Sequence, residues 1–327
     1  MKILLITPNF FNYHKMIIEE LESMGHSVDW FDDRPSTSGW VKAIIRVKRD
    51  LLSLYIKKYF QQIRDKVSSN HYDVFFLISG QSLSLSESMI KEIRSLQPDA
   101  KFVLYQWDSV KNFPYIKKMQ KHFDRCFSFD RGDADDDKIS FLPLFYGKKF
   151  AEIGKAKDRE NQYDFCFVGT AHPKKYKLVK EMSEQLGKVY KKQFIYFFLP
   201  SRIVYFYRKF HDREMLTAKY SEFHFTSLPP DVFNNVYVHS ECILDSPQAG
   251  QNGLTIRVIE TMGAKKKLIT TNPDIVNYDF YQPENIYVYE GNFDFSSPFF
   301  SKAYVDLPTD VYEKYSLNNW LRTVLED

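Results

Sequence analysis

The run Gly253-Leu254-Thr255-Ile256-Arg257-Val258-Ile259-Glu260-Thr261-Met262-Gly263-Ala264, followed by Leu268-Ile269-Thr270-Thr271-Asn272, decides how this chain is read. A glycine turn opens a helix and a short apolar strand follows. Arg257 and Glu260 are three residues apart, so they leave the helix on one side. A helix that starts at Gly253 offers free backbone N–H groups and a positive dipole end, both suited to a phosphate. A carboxylate one to two turns further in can accept hydrogen bonds from ribose hydroxyls. Together these features suit a nucleotide-sugar pocket. The alternative is an ordinary helix carrying a solvent-facing Arg257–Glu260 pair.

Working outward, apolar runs alternate with helical stretches along nearly the whole chain. In the first half the expected strands are Lys2–Thr7, Ser27–Phe31, Tyr72–Ile78, Lys101–Trp107, Arg125–Phe129 and Ile139–Phe145. Helices are expected over His14–Met24, ended by Gly25, over a long basic stretch near 41–67, and over Glu87–Leu96 behind the cap Ser86. Residues Tyr146–Tyr163 lose the periodicity and turn polar. The pattern resumes with strand Asp164–Val168, helix Pro173–Leu186 and strand Gln193–Leu199, then Glu241–Asp245, Lys267–Thr271 and Asn285–Tyr289. A last amphipathic segment, Tyr315–Leu325, is placed to pack back across the domain boundary. Continuous apolar strands separated by helices indicate parallel sheets covered on both faces. The fold class expected is therefore α/β, two doubly wound domains facing each other across a cleft: 1–150, a linker at 151–163, and 164–327.

With 327 residues the chain is long enough for two such domains, and 44% hydrophobic with 27% charged residues describes a globular protein. Cys126, Cys166 and Cys242 each sit in an apolar run without a CxxC neighbour, which points to reduced, buried thiols and a cytoplasmic setting. The stretch before Pro8 is too short for a signal peptide's apolar core, and no window holds the ~20 apolar residues of a spanning helix. The net charge of +3 is unevenly laid out: residues 41–66 carry +6 and residues 191–213 carry +5, leaving the rest at −8. Two basic segments on an acidic body imply a directed face.

At the opening run, and at Phe167-Val168-Gly169-Thr170, Ile243-Leu244-Asp245-Ser246-Pro247 and Asn285-Ile286-Tyr287-Val288, the chain resembles the C-terminal donor domain of GT-B-fold glycosyltransferases of the family-4-like or CgeB-like type. Many of these serve bacterial capsule and lipopolysaccharide assembly. The resemblance covers about half the chain, from Asp164 onward. It implies a nucleotide-sugar donor as co-substrate, no cofactor and no metal. Glu260 matches the second of the two glutamates that the family-4 pattern spaces eight apart, and Asn252 stands where the first would be. An asparagine hydrogen-bonds a sugar hydroxyl but carries no charge, so the sequence leans toward inversion.

The resemblance places Gly169, Thr170 and Lys174 near the donor diphosphate, Arg257 on phosphate, Glu260 on ribose, and Asn252 and Gly253 near the sugar or phosphate. In the first half, Asp108 follows a buried strand, where a general base for an acceptor hydroxyl belongs; a plain turn cap is the alternative. Asp130 ranks second and His14 third as base, with Asn12 and Gln81 as acceptor contacts. The acidic run Asp133–Asp137 reads as a solvated surface loop and not as a metal site. In Phe194–Phe210, Pro200 separates a strand from a helix whose Ile203, Phe206, Tyr207 and Phe210 share one face that core packing would explain. Val204 and Tyr205 then remain, beside Arg202, Arg208 and Lys209. Aromatic and basic residues mixed in this way, here and at 41–66 with Leu51, Leu52, Tyr55 and Phe60, suit an anionic membrane surface.

The function expected is a metal-independent glycosyltransferase acting on a cell-surface polysaccharide or lipopolysaccharide, its acceptor lipid-linked and the protein peripheral on the inner face of the plasma membrane. A non-catalytic bilobal sugar- or nucleotide-binding protein is the alternative. A nucleic-acid-binding protein using the basic segments ranks below it, since no recognisable nucleic-acid module is present.

Overall fold

The computed structural model describes residues 1–34, 53–80, 82, 84–156, 160–246 and 253–326. The chain divides into two compact units: one of Met1–Leu144 with Leu317–Asp327, the other of Phe145–Ser316.

The first unit holds a six-stranded parallel sheet. Its strands are β1 (Lys2–Ile6), β2 (Ser27–Phe31), β3 (Val74–Ser79), β4 (Lys101–Gln106), β5 (Arg125–Ser128) and β6 (Ser140–Phe141), in the order β2-β1-β3-β4-β5-β6. β3 is buried at every position, which explains its unbroken apolar sequence. Leu4, Phe75, Leu77, Phe102 and Leu104 point into one core layer, with Ile63, Ile90, Ile93 and Met119 of the helices Ser53–Ser68, Glu87–Leu96 and Ile116–Gln120 packed over them. On the opposite face Trp320, from the last helix Leu317–Leu325, meets Tyr105 edge-on at 4.6 Å. That helix is held further by Asn318 donating to Glu20 at 2.8 Å and by Arg125 donating to the Thr323 carbonyl at 3.0 Å. The C-terminal segment thus belongs to the first unit.

The second unit is a second six-stranded parallel sheet: β7 (Tyr163–Thr170), β8 (Gln193–Phe198), β9 (Phe223–His224), β10 (Ser240–Asp245), β11 (Lys267–Thr270) and β12 (Ile286–Val288). The order is β12-β11-β10-β7-β8-β9. Counted within the unit this is 3-2-1-4-5-6, the doubly wound dinucleotide-fold order, with its switch point between β7 and β10.

The boundaries differ from those expected. Helix Lys148–Lys155 opens inside the stretch read as aperiodic and packs on helix Ile256–Gly263; a Cβ at Gly154 would lie 2.6 Å from the Gly263 carbonyl oxygen. The described part of 151–163 is therefore part of the second unit and not a linker. Its polar residues line the outer side of a helix whose Phe150 and Ile153 are buried.

Candidate functional site

In open α/β sheets, ligands bind beyond the carboxyl ends of the strands that flank the switch point. In the second unit those ends are Gly169–Thr170 on β7 and Asp245–Ser246 on β10. Thr255 occupies the cap position of helix Ile256–Gly263, but its hydroxyl donates to Asp245 at 2.9 Å and makes no cap bond to its own helix. The helix therefore begins at Ile256, three residues after the buried Gly253. Arg257, in its first turn, donates from Nη2 to the Val168 carbonyl at 2.7 Å and sets Nη1 3.9 Å from Asp245 Oδ1. Thr270, at the end of β11, also reaches Asp245, at 3.4 Å.

Lys175 lies half-buried on the adjoining helix Pro173–Leu186. Burial, and then the Arg257 charge, hold its ammonium below the ordinary lysine range, with Asp245 opposing. Two cations and one buried carboxylate thus meet at the end of the β7–β10 pair. Lys174, its neighbour, is exposed. Glu260 is buried one turn beyond Arg257, and its charge acts on Lys149 of helix Lys148–Lys155, whose own pKa is lowered mainly by burial. The pair Arg257 and Glu260 is therefore not a solvent-facing one. A Cβ at Gly169 would lie 2.9 Å from Phe167 Cζ, so the glycine makes room for that ring. Asn252 lies outside the described residues.

The first sheet has its switch point between β1 and β3. Asp33, buried just after β2, accepts hydrogen bonds from Ser79 and Ser82 at 2.5 Å and Ser84 at 2.8 Å. Burial pushes its carboxyl up to about 6 against the three serine bonds. At the next strand ends, Gly80 is packed directly under Asp108: any Cβ there would overlap the Asp108 carboxylate.

The turn after β1 runs through Phe11 and Asn12, both left-handed at φ 44° and 63°, a conformation that non-glycine residues adopt at a cost. His14 is buried and stacks on Trp30 at 4.6 Å; its Nδ1 has no hydrogen-bond partner among the described residues. Burial and then Lys15 lower its pKa, with Asp32 opposing. Asp130 caps helix Arg131–Asp137, its Oδ1 accepting from the Gly132 and Asp133 amides at 3.0 and 3.3 Å. The acidic run Asp133–Asp137 is thus helical, not a loop: Asp133 accepts from the Val110 amide at 2.7 Å and Asp137 pairs with Lys117 at 2.5 Å. Gln81 lies outside the described residues.

Asp245, Thr255, Lys175 and Lys149 were not singled out as site residues by sequence reasoning. The signal for Asp245 was present, as a carboxylate ending an apolar strand. The sequence shows no pairing for Thr255 and Lys149, because each depends on a different helix or strand.

No protein-family profile matches the chain, and no curated protein matches it in sequence. Solved structures match it in fold. OtsA in its apo form aligns over 100% of both chains with TM-score 0.61 at 9% identity. A UDP-GlcNAc 2-epimerase from Neisseria meningitidis, bound to UDP-GlcNAc, aligns over 100% of this chain and 99% of its own, with TM-score 0.56 at 11% identity. An alpha-glucosyltransferase in complex with UDP and a 13-mer DNA aligns over 88% and 81%, with TM-score 0.52 at 13% identity. At such identities the likeness concerns the fold.

Proposed function

The chain shares the two-sheet GT-B plan of these structures, and from this premise we propose that it is a glycosyltransferase using a nucleotide-sugar donor. The carrying observation is the β7–β10 switch point, where Arg257, Lys175 and a helix start without a side-chain cap adjoin Asp245. A diphosphate suits two cations and free helix N–H groups. In this reading Arg257, Lys174 and Lys175 neutralise the diphosphate, Gly169 and Thr170 approach it through backbone, and Glu260 accepts from ribose hydroxyls. Asn252 and Gly253 border the sugar.

The first unit carries the acceptor past Asn12 and Gln81. Asp108, seated on Gly80, takes the proton of the attacking hydroxyl; Asp130 and His14 rank behind it, since Asp130 caps a helix and the His14 ring is buried. The transition state is oxocarbenium-like, so the catalytic demand is one base and a stabilised leaving diphosphate, with no metal or cofactor. We place the acceptor among lipid-linked glycans of capsule or lipopolysaccharide type, and the protein peripherally on an anionic membrane at the cytoplasmic face. No helix among the described residues is long and apolar enough to cross a membrane.

The test is transfer of labelled sugar from nucleotide donors to a membrane lipid-glycan extract, with and without EDTA. Transfer that persists in EDTA and falls at least 100-fold in Asp108→Asn supports the reading. Binding of donor with no turnover on any acceptor would favour a non-catalytic sugar- or nucleotide-binding protein.

A further inference from the structure

The helix Arg202–His211 presents the face opposite to the one its pattern suggests. Tyr205 is buried and donates its hydroxyl to the Ala218 carbonyl at 3.1 Å, and Val204 packs against the same core. The stripe Ile203, Phe206, Tyr207 and Phe210, spaced i, i+3, i+4 and i+7, is turned outward, with Ile203 79% and Phe210 74% exposed. Leu216 and Tyr220 extend it; the Tyr220 ring stacks 6.1 Å from that of Phe206. Exposed apolar surface of this extent marks a contact site.

We infer that this stripe is the element that seats the protein on an anionic lipid surface. The inference rests on the membrane location proposed above and names the surface. Arg202, Arg213 and Lys219 are exposed around the stripe, while Arg208 and Lys209 of the same helix are half-buried and donate to the Ala171 and Ala218 carbonyls. An outward apolar face ringed by cations is what an in-plane amphipathic helix offers to acidic headgroups. A second copy of the chain fits less well, because a two-fold contact on the stripe would bring like cations together.

The other basic segment presents a smaller apolar face where it is described: Tyr55 is exposed beside Lys57 and Lys58, without a stripe. In helix Ser53–Ser68, Ile56, Phe60, Ile63 and Val67 are core, Arg64 pairs with Glu92 at 2.8 Å and Lys66 with Asp29 at 2.9 Å. Leu51, Leu52 and residues 35–50 lie outside the described residues. The docking helix is also tied to the donor side: Arg208 donates to the Ala171 carbonyl at 2.5 Å, in the turn that follows β7. A bilayer on the stripe would therefore lie against the helix that braces the Gly169–Thr170 turn.

The test is flotation of the full chain with vesicles of phosphatidylcholine alone and with one quarter phosphatidylglycerol. The wild type is expected to float with the anionic vesicles only, and Phe206→Glu/Phe210→Glu to lose at least tenfold in partition with unchanged melting temperature. Equal flotation of that variant would overturn the stripe while leaving the membrane location standing. A wild type that floats with neither vesicle would overturn both. A dimer in solution that the double variant dissociates would assign the stripe to a second copy instead.

Discussion

Arg257 bridges the two strand ends that flank the second sheet's switch point: its guanidinium donates to Val168 on β7 and stands 3.9 Å from Asp245 on β10. A side chain in that position orders the crevice as well as charging it. Arg257→Ala is expected to raise the dissociation constant of a cognate nucleoside diphosphate at least tenfold, about 1.4 kcal/mol. Titration calorimetry at fixed salt checks it.

Lys175 and Lys174 are adjacent, but Lys175 is half-buried beside Arg257 while Lys174 is exposed. An exposed ion contact is typically worth under about 1 kcal/mol, and a desolvated one more. Lys175→Ala should therefore weaken nucleoside diphosphate binding more than Lys174→Ala does. Equal losses in the two variants would argue that the diphosphate lies nearer the helix surface.

Gly80 and Asp108 form a second coupled pair. Any side chain at 80 must displace the Asp108 carboxylate. Gly80→Ala is expected to lower kcat for transfer in parallel with Asp108→Asn, while leaving donor binding to the other unit within twofold. A Gly80→Ala enzyme of normal kcat would remove Asp108 from the base role.

Asp33 gives a pH signature in stability. Its folded pKa of about 6 lies above the ordinary 3.8, so between these values the native state holds the proton more often than the unfolded chain does. Its contribution is then fully present below about 3.8 and is lost as pH rises through about 6. Relative to wild type, Asp33→Asn should gain about 3 kcal/mol of unfolding free energy between pH 3.5 and pH 7. Denaturant melts at several pH values measure the difference, and a flat difference would contradict the raised pKa.

Gly263 is constrained by packing: a Cβ there would overlap the Tyr146 ring, and Tyr312 donates to its carbonyl at 2.6 Å. Gly263→Ala should cost about 1–3 kcal/mol of stability through overpacking, read as a lower melting temperature. A melting temperature equal to wild type would show that Tyr146 can move aside.

What was legible in the sequence follows what is local. Runs such as Phe75–Ile78 and Phe102–Tyr105 announce strands covered on both faces, and Ser86 announces the helix at Glu87, where its hydroxyl accepts from the Met89 amide. Gly253 announced a helix that begins later, because Thr255 turns its hydroxyl to Asp245, ten residues away in sequence. The serines around Asp33 are 46 to 51 residues from it, so no local pattern contains that cage. An amphipathic stripe shows that a helix has two faces, not which one meets the core. At Arg202–His211 the core took Tyr205, whose hydroxyl finds a carbonyl inside, and left the larger apolar face outside.

Nucleotide-sugar binding by the second unit at the β7–β10 switch point is tested by the melting temperature of the wild type and of Glu260→Ala against UDP-, GDP-, CMP- and TDP-sugars. One nucleotide class should raise the wild-type midpoint, with about 2.7 kcal/mol of stabilisation at 100 times its dissociation constant, and the shift should vanish in Glu260→Ala. No shift with any of the four at millimolar concentration, or the same shift in the variant, would contradict it.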